Sequence, residues 1–282
     1  MRHDRLTIVS VYGHNSGASA IPSIVHSMQQ LPGSRGLLLS IEKPNNLPDS
    51  VAWKPICALD YKLYSVFMMH CLYSFIETDY CLVVQDDGWV LDGSRWKEEY
   101  YEYDYLGAPS HCGVVQDQLA LHFTWYGKAG YRCVQNGGFS LRSRRFCEAP
   151  NRHGLAHRDS NDIHGWNEDA QLSMWLRPAF ESWGYKYASD EVARDFAIEY
   201  VAPGFHQGFD FRRLVGHHGQ SRKLVAPMTV RVLLDSKQVV NTYGERSFLD
   251  FLQSIGYTLE LSHDHEQDGT QAADAPVPAG QT

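Results

Sequence analysis

Four short segments of the sequence combine carboxylates, glycines or a histidine in ways that could carry chemistry. They are Gln85-Asp86-Asp87-Gly88, Asn136-Gly137-Gly138-Phe139-Ser140-Leu141-Arg142, Trp166-Asn167-Glu168-Asp169 and Pro203-Gly204-Phe205-His206. Carboxylate oxygens can hold a divalent cation that also contacts phosphates. Glycines allow a backbone to approach a ligand closely, and a carboxylate beside a hydroxyl can serve as a general base. Each segment also has an ordinary structural interpretation that needs no ligand.

The first segment follows an apolar run and supplies two carboxylates before a glycine. In open α/β sheets, ligands bind outside the carboxyl ends of the strands, which is where we expect Asp86 and Asp87. A divalent cation held there would neutralise the charge that builds on a diphosphate leaving group. A plain β-turn is equally well supported, because Asp-Gly is a common turn pair.

The second and third segments are weaker signals when each is taken alone. Gly137 and Gly138 precede a strand and could line a ligand, although a turn or bulge is the better explanation in isolation. Glu168 and Asp169 open a helix, where acidic residues complement the helix dipole without any catalytic role. Asn167 could be no more than the N-cap of that helix.

The fourth segment supplies a histidine that could complete a metal site. Imidazole suits transition ions better than it suits magnesium. The sequence contains 14 histidines, and a lone histidine is more often structural, so the weight of any one of them is low. His217 and His218 compete with His206 for this role, although no apolar run leads into them.

Apolar patterns predict the elements that would position these segments. Leu6–Tyr12 is a buried strand, a helix begins near Ile21, and residues 36–41 are a second strand, which together form a βαβ unit and predict a parallel sheet. The remaining predicted elements are a helix over about 59–76 with Leu63, Val66 and Phe67 on its inner face, strands at 80–85, 103–108 and 138–142, and one helix from about Asn167 with Leu172, Trp175, Leu176 and Ala179 at helical spacing.

The pattern changes after Pro227, where a strand at 228–234, a helix ending near Ile255 and a strand at 257–261 follow one another. We therefore expect an α/β domain over residues 1–226, a small α+β extension over 227–262 and a disordered tail over 263–282. Residues 147–165 could be a lid or an acceptor loop, or only a mobile surface loop.

Composition narrows the class of protein. The chain has 282 residues, of which 43% are hydrophobic, as in a globular protein with a core. The formal charge of −8 and the scattered Lys and Arg residues argue against a nucleic-acid partner. The six cysteines form no Cys-x-x-Cys pair. We find no signal peptide and no apolar run that would span a membrane, and we therefore expect a reduced, cytoplasmic protein.

The order of the four segments resembles that of GT-A glycosyltransferases. The closer resemblance is to an uncharacterised bacterial and fungal family with the signature Gln-x-Asp-Gly, Asp-Tyr-x-Gly-Ala-Pro, Asn-Gly-Gly-Phe-Ser-Leu-Arg and Asn-Glu-Asp. This chain carries Gln85-Asp86-Asp87-Gly88, Asp104-Tyr105-Leu106-Gly107-Ala108-Pro109, Asn136 to Arg142 and Asn167 to Asp169, and the resemblance covers about residues 7–209. A more distant resemblance is to β-1,4-galactosyltransferases, which share the order Asp-x-Asp, Gly-Gly, Glu-Asp, His. The implied fold is GT-A-like and Rossmann-related, with a mostly parallel central sheet flanked by helices.

The resemblance also implies a role for each matching residue. Asp87 matches the metal ligand that ends the Asp-x-Asp motif, and His206 matches the late metal ligand. Asp169 matches the catalytic base of inverting members, and Glu168 matches a residue that binds substrate hydroxyls. The residues implied to contact the nucleotide-sugar donor are Val11, Tyr12, Gly13, Gln85, Asp86, Gly137 and Gly138. Gln85 replaces the first Asp of the motif, and this departure affects the donor contact rather than the metal.

The implied activity is transfer of a sugar from a nucleotide diphosphate sugar, a UDP-sugar first of all, to a hydroxyl of a glycan or another acceptor. A divalent ion, Mn²⁺ or Mg²⁺, would stabilise the departing diphosphate, and Asp169 would deprotonate the acceptor in a single inverting displacement. Two alternatives stay open, a metal-dependent phosphohydrolase and a non-catalytic sugar-binding module. The joint presence of Asp87, Asp169 and His206 argues against the second alternative.

Overall fold

The computed structural model describes residues 1–116, 118–158, 166–202, 204–234 and 244–262. Strands and helices alternate along the first part of the chain. The strands are β1 Leu6–Tyr12, β2 Arg35–Ser40, β3 Val51–Pro55, β4 Tyr80–Val83, β5 Gly88–Val90, β6 Tyr105–Val115, β7 Gln118–Ala120, β8 Tyr131–Ser143, β9 Ala197–Ile198, β10 Gly216–His218, β11 Arg222–Ala226, β12 Thr229–Leu233 and β13 Thr258–Ser262. The α-helices are α1 Ile21–Gln30, α2 Tyr61–His70, α3 Arg144–Arg152, α4 Glu168–Ala170, α5 Arg177–Ser182, α6 Asp190–Phe196 and α7 Glu245–Ser254.

A seven-stranded sheet in the order β3-β2-β1-β4-β8-β6-β7 forms the centre of the fold. β3, β2, β1 and β4 pair in parallel, and β8 pairs antiparallel with both β4 and β6. β6 therefore runs in the same direction as these four strands, and only β7 and β8 oppose them. The predicted α/β fold with a mostly parallel sheet is confirmed, and so is the βαβ unit of β1, α1 and β2.

Helices cover both faces of this sheet. β1 is buried along its whole length, as expected for a strand covered on both faces. On one face, Ile21 and Ile24 of α1 join a core cluster with Leu6 and Ile8 of β1. On the other face, α2 packs against the alternate residues of the same strand. The strand is held firmly, so its carboxyl end has a fixed position.

Helix α2 is shorter than predicted and presents a different face. It covers Tyr61–His70 and is followed by a 3₁₀ turn at Leu72–Phe75. Leu63, predicted to face inward, is 49% exposed, whereas Ser65 is only 2% exposed. The prediction for Leu63 is wrong because the bulkier Phe67, Met68 and Leu72 side chains occupy the sheet face and set the rotation of the helix.

The pair β6–β8 is much longer than the predicted strands at 103–108 and 138–142. Val83 at the end of β4 lies opposite Ser140 of β8, so residues 131–137 of β8 continue past the end of β4. There they pair only with β6 and form an arm above the carboxyl edge of the sheet. The Asn136-Gly137-Gly138 segment lies where this arm leaves β4.

The helix predicted from Asn167 is divided into short pieces. α4 covers Glu168–Ala170, a π-helical turn covers Gln171–Trp175, and α5 begins at Arg177. Pro178 lies in the first turn of α5, where its missing N–H is tolerated, whereas a continuous helix would need that N–H. The predicted loop at 147–165 is also partly wrong, because residues up to Arg152 belong to α3. Residues 159–165 lie outside the described residues.

The predicted strand, helix and strand after Pro227 are confirmed as β12, α7 and β13. β12 and β13 form a three-stranded sheet with β11, and a separate three-stranded sheet has the order β5-β10-β9. β11 pairs with β12 across the predicted boundary at residue 226. Phe248 of α7 shares a core cluster with Trp89 and Leu214. The division into domains stays a prediction, and the predicted tail at 263–282 lies outside the described residues. No helix in the described part of the chain is long and apolar enough to cross a membrane.

Candidate functional site

Asp86 and Asp87 occupy the corner of a tight turn at the end of β4. The backbone N–H groups of Gln85 and Gly88 each donate to the carbonyl of the other over 3.2 Å. The carbonyl of Asp86 accepts from Leu224 N over 2.9 Å, and the carbonyl of Asp87 accepts from Gly219 N over 2.8 Å. The turn interpretation is therefore correct, and the turn is fixed from outside by the segment after β10.

His218, at the end of β10, is the histidine that lies against Asp87. Its Nε2 atom is 3.3 Å from Asp87 Oδ1 and 3.1 Å from Gln85 Oε1. Burial disfavours the imidazolium, but the carboxylates of Asp87 and Glu199 outweigh burial and raise the pKa of His218 to about 10. Burial likewise opposes ionisation of Asp87, yet His218 holds the pKa of that carboxyl below its usual value.

His206, the predicted metal ligand, lies in a different environment. Its ring is edge-on to the rings of Phe205 and Phe209, and its Nδ1 atom accepts from Ala202 N over 2.9 Å. Burial, together with Arg194, lowers its pKa to about 4, so the ring is neutral. The structure therefore replaces His206 by His218 at Asp87, because pairing with β5 carries His218 to Gly88 at the turn. Pro203 lies outside the described residues.

The glycines of the second segment allow two side-chain groups to approach the backbone. A Cβ atom on Gly138 would lie 2.3 Å from His218 Nε2, and one on Gly137 would lie 2.3 Å from Glu168 Oε1. Neither position can carry a side chain without moving these groups. The two glycines therefore connect the Asp87–His218 pair on one side with the Glu168–Asp169 pair on the other.

Glu168 forms a buried ion pair with Arg142. The Arg142 Nη2 atom is 2.9 Å from Glu168 Oε1 and also donates to the carbonyl of Gly137 over 3.3 Å. The two side chains are 1% and 9% exposed, so water screens the pair weakly. Glu168 thus orders the turn at Gly137, which differs from the predicted contact with substrate hydroxyls.

Asp169 is the half-buried carboxylate next to this ion pair. Its Oδ2 atom accepts from Gly137 N over 3.2 Å, and its Oδ1 atom accepts from Ala170 N over 2.7 Å. Burial, with the nearby charges of Glu168 and Glu199, raises the pKa of Asp169 to about 7. Acidic residues at a helix start complement the helix dipole, but burial and the two neighbouring carboxylates outweigh this effect at Asp169.

The end of β1 reaches the site mainly through one side chain. The hydroxyl of Tyr12 accepts from Asp86 N over 3.2 Å. Val11 is buried in the core beneath α2, so only its backbone is available to a ligand. The carbonyl of Gly13 accepts from Leu59 N over 2.7 Å, which closes the loop before α2. The predicted donor-contacting residues of β1 therefore lie beside the Asp86–Asp87 turn.

Four residues of the site were missed by the sequence analysis. Tyr64 of α2 accepts from Gln85 Nε2 over 3.0 Å, and Lys223 Nζ lies 3.6 Å from Asp86 Oδ2. The Glu199 side chain lies beside His218, and Tyr61 donates to the side chain of Asn167. Only Glu199 had a sequence signal, because it directly follows an apolar pair that forms a strand. The others come from elements whose faces the sequence does not determine.

The donor groups around Asp87 suit a divalent cation. Within the described part of the chain, the buried atoms Asp87 Oδ1 and Glu199 Oε2 accept no hydrogen bond. A carboxylate, an imidazole and the carbonyl oxygen of Gln85 form a mixed oxygen and nitrogen set that Mn²⁺ accepts more readily than Mg²⁺. Among the described residues, no group of three or more His, Cys, Asp and Glu side chains is already arranged to hold a metal ion. Asp87 and His218 are the pair that fits one.

The fold and this site define an α/β protein with a cluster of largely buried polar side chains at the carboxyl edge of its sheet. Residues 57–218 match the family described as "Protein of unknown function (DUF5672)". This match covers more than half of the chain, and the chain belongs to that family. The family region contains the cluster from the Asp86–Asp87 turn to His218. No curated protein matches the sequence.

Solved structures to which this chain is similar include glycosyltransferases. The galactosyltransferase LgtC in complex with donor and acceptor sugar analogues is 11% identical with a TM-score of 0.43, over 90% of this chain and 97% of LgtC. The apo-form glycosyltransferase GlyE of Streptococcus pneumoniae TIGR4 is 13% identical with a TM-score of 0.41, over 75% of this chain and 53% of GlyE. An active-site mutant of LgtC is 12% identical with a TM-score of 0.39, over 90% and 97% of the two chains.

Proposed function

We propose that this protein is a metal-dependent glycosyltransferase that moves a sugar from a nucleotide diphosphate sugar to an acceptor hydroxyl. One observation carries the proposal. The Asp87–His218 pair and the Asp169 carboxylate lie on either side of the same Gly137–Gly138 turn, at the carboxyl edge of the sheet. The group proposed to bind the diphosphate and the group proposed to accept a proton are thus separated by this short stretch of backbone.

Asp87 and His218 would hold the divalent ion, which when bound supplies positive charge for the diphosphate leaving group. Lys223, beside Asp86, supplies a second positive charge at the same turn. Tyr12 and Gln85 flank the turn and would orient the nucleotide and the sugar. A UDP-sugar is the first donor to try.

Asp169 would accept the proton of the acceptor hydroxyl. Its pKa of about 7 makes it a base matched to neutral solution, because a general base works best when its pKa lies near the operating pH. With one base and one displacement, the anomeric centre would be inverted. Glu168, held in its ion pair with Arg142, would keep the turn at Gly137 in place during the reaction.

Two alternatives would use the same site differently. A metal-dependent phosphohydrolase would cleave the donor without an acceptor. A non-catalytic sugar-binding module would bind the donor and leave it intact. Asp169 favours an enzyme over the binding module, since a base beside the Gly137 turn has a function only if a hydroxyl or a water is activated there, and the need for an acceptor distinguishes transfer from hydrolysis. The cytoplasmic localisation stays a prediction.

The test is a thermal-shift screen of nucleotide diphosphate sugars with and without Mn²⁺, followed by product analysis for the donor that stabilises the protein most. A ligand present at 100 times its dissociation constant stabilises the folded state by about 2.7 kcal/mol. We expect one class of donor to raise the unfolding temperature only with Mn²⁺, and turnover to require an added acceptor. Donor cleavage at the same rate without an acceptor would favour the phosphohydrolase.

A further inference from the structure

We propose that Glu199 is a positioning residue that directs His218 toward Asp87 and couples this pair to the Gly137–Gly138 turn. The inference rests on the proposed function, because it assigns a role in metal binding to a residue outside the predicted set. Glu199 would not contact the metal or the substrate. It would act through His218 and Asn136, the two residues that lie against its carboxylate.

Strand pairing brings Glu199 to His218. β9 and β10 are parallel, with Ala197 opposite Gly216 and Ile198 opposite His217. Glu199 directly follows β9, and His218 is the last residue of β10. The register of the two strands therefore brings these two side chains close together. His218 Nδ1 lies 3.8 Å from Glu199 Oε1, longer than a direct hydrogen bond and within reach of a small adjustment of the ring.

A second contact of the same carboxylate leads to the glycine turn. Asn136 Nδ2 donates to Glu199 Oε1 over 2.9 Å. The other atom of the Asn136 amide, Oδ1, accepts from Gly138 N over 2.7 Å. A continuous polar path therefore joins the backbone of Gly138 through Asn136, Glu199 and His218 to Asp87. A displacement of Gly138 would therefore alter the position of His218 beside Asp87.

The chemistry of imidazole explains why a carboxylate is needed at this place. His218 binds a metal through Nε2 only if that atom is free of hydrogen and the remaining ring hydrogen is on Nδ1. Gln85 Oε1, 3.1 Å from Nε2, favours a hydrogen on the wrong nitrogen. A carboxylate at Nδ1 opposes Gln85, because it accepts a hydrogen from Nδ1 and cannot donate one. Outer carboxylates of this kind orient ligating histidines in many metal sites.

Two substitutions separate positioning from simple charge. Glu199→Gln removes the charge and allows an amide N–H to face Nδ1. Glu199→Asp keeps the charge but withdraws the carboxylate by one methylene. If Glu199 positions His218, both variants should bind Mn²⁺ about 10–100-fold more weakly than the wild type, by calorimetry on the whole protein without nucleotide. Glu191→Gln, an exposed change on the preceding helix, should leave Mn²⁺ affinity unchanged.

A proton NMR measurement distinguishes positioning of His218 from a merely structural role of Glu199, because a merely structural role would not change the resonance of the His218 Nδ1 hydrogen. In the Co²⁺-loaded wild type, the Nδ1 hydrogen of His218 should give a shifted resonance that exchanges slowly with water, because Glu199 holds it. The same resonance should exchange fast in Glu199→Gln, with circular dichroism confirming that the variant is folded. If Glu199→Gln folds poorly, Glu199→Asp carries the test alone.

Separate outcomes would overturn the inference and the proposed function. Wild-type Mn²⁺ affinity in either Glu199 variant would remove the positioning role while leaving the metal site intact. A wild-type protein that binds neither Mn²⁺ nor Co²⁺ would instead remove the metal site and, with it, the proposed function.

Discussion

Asp169 differs from the other carboxylates of the site in the groups that lie beside it. Asp86 has Lys223 nearby, Asp87 has His218, and Glu168 has Arg142. Asp169 accepts hydrogen bonds from two backbone N–H groups. Its own burial and two neighbouring carboxylates raise its pKa. This environment suits a group that must gain and lose a proton near neutral pH, and it leads to two predictions.

The first prediction concerns turnover. Asp169→Asn should lower kcat by about 10²–10⁴-fold, because the amide cannot accept the acceptor proton. Donor binding should survive, since Asp87 and His218 lie on the other side of the glycine turn. The wild-type kcat should rise with pH up to about 7, where Asp169 becomes ionised, and this limb should vanish in the variant. Normal turnover by Asp169→Asn, measured with the donor found in the screen, would show that the base lies elsewhere.

The second prediction concerns stability. The pKa of Asp169 is raised from 3.8 to about 7 in the folded protein, so the folded state favours the neutral carboxyl. This contribution is fully present below pH 3.8 and is lost as the pH rises through about 7. Asp169→Asn should therefore stabilise the metal-free protein more at pH 8 than at pH 5. The difference should not exceed about 3 kcal/mol, because about two units separate pH 5 from the raised pKa and each unit is worth about 1.4 kcal/mol. Denaturant unfolding at both pH values measures this, and an equal effect at both would contradict the raised pKa.

A third prediction distinguishes the two histidines. His218→Ala should abolish Mn²⁺ binding measured by calorimetry, because it removes the nitrogen that faces Asp87. His206→Ala should retain Mn²⁺ affinity and lower only the unfolding temperature, since His206 packs among phenylalanine rings and accepts from a backbone N–H. The reverse pattern would restore His206 as the ligand and would mean that the contact between His218 and Asp87 is not the metal site.

At the scale of elements, the position of the site depends on the arm of β6 and β8. This arm leaves the sheet where β4 ends. β8 pairs with β4 only as far as Ser140 opposite Val83, and the next residues toward its start form the glycine turn. The functional groups of β4, β8 and β10 meet because these three strands end or bend at the carboxyl edge of the central sheet. A substitution in the backbone of this turn should therefore affect several groups together.

The fourth prediction tests this close packing. Gly138→Ala should weaken Mn²⁺ binding by 10-fold or more (on the order of the loss from disturbing an outer ligand), because its Cβ would lie 2.3 Å from His218 Nε2 and 2.8 Å from Gln85 Oε1. The protein should remain folded, since Gly138 has no positive φ that alanine would strain. Calorimetry and circular dichroism measure the two effects. An alanine variant with unchanged Mn²⁺ affinity would mean that His218 can move away without loss.

Sequence patterns predicted the elements better than the contacts between them. β1 was predicted to the residue and the order of strand, helix and strand was right at both ends of the chain, because buried runs and helical spacing are local signals. The sequence analysis ranked His206 above His218 because an apolar run precedes His206, whereas the structure places His218 beside Asp87. The pairing of β10 with β5, which decides the matter, joins residues more than 120 positions apart and leaves no local pattern.

At the scale of the whole molecule, the C-terminal part of the chain is built into the site. Backbone N–H groups of Gly219 and Leu224 hold the two aspartates of the turn, and β11 leads from there into the C-terminal sheet. The hydroxyl of Tyr257 accepts from Trp89 Nε1 over 3.0 Å, just beyond the same turn. The segment from Gly219 to Leu224 therefore supports the geometry of Asp86 and Asp87, and β11 joins this segment to the C-terminal strands.

The most direct test of the whole account is a calorimetric titration of the protein with UDP, with and without Mn²⁺, in the wild type and in Asp87→Ala. Asp49→Ala, an exposed aspartate far along the chain from the turn, is the matched control. We predict that UDP binds the wild type and the control only when Mn²⁺ is present, and that Asp87→Ala stays folded but binds neither. UDP binding by Asp87→Ala that equals the wild type and still depends on Mn²⁺ would contradict the account, because the metal would then lie outside the turn that ends β4.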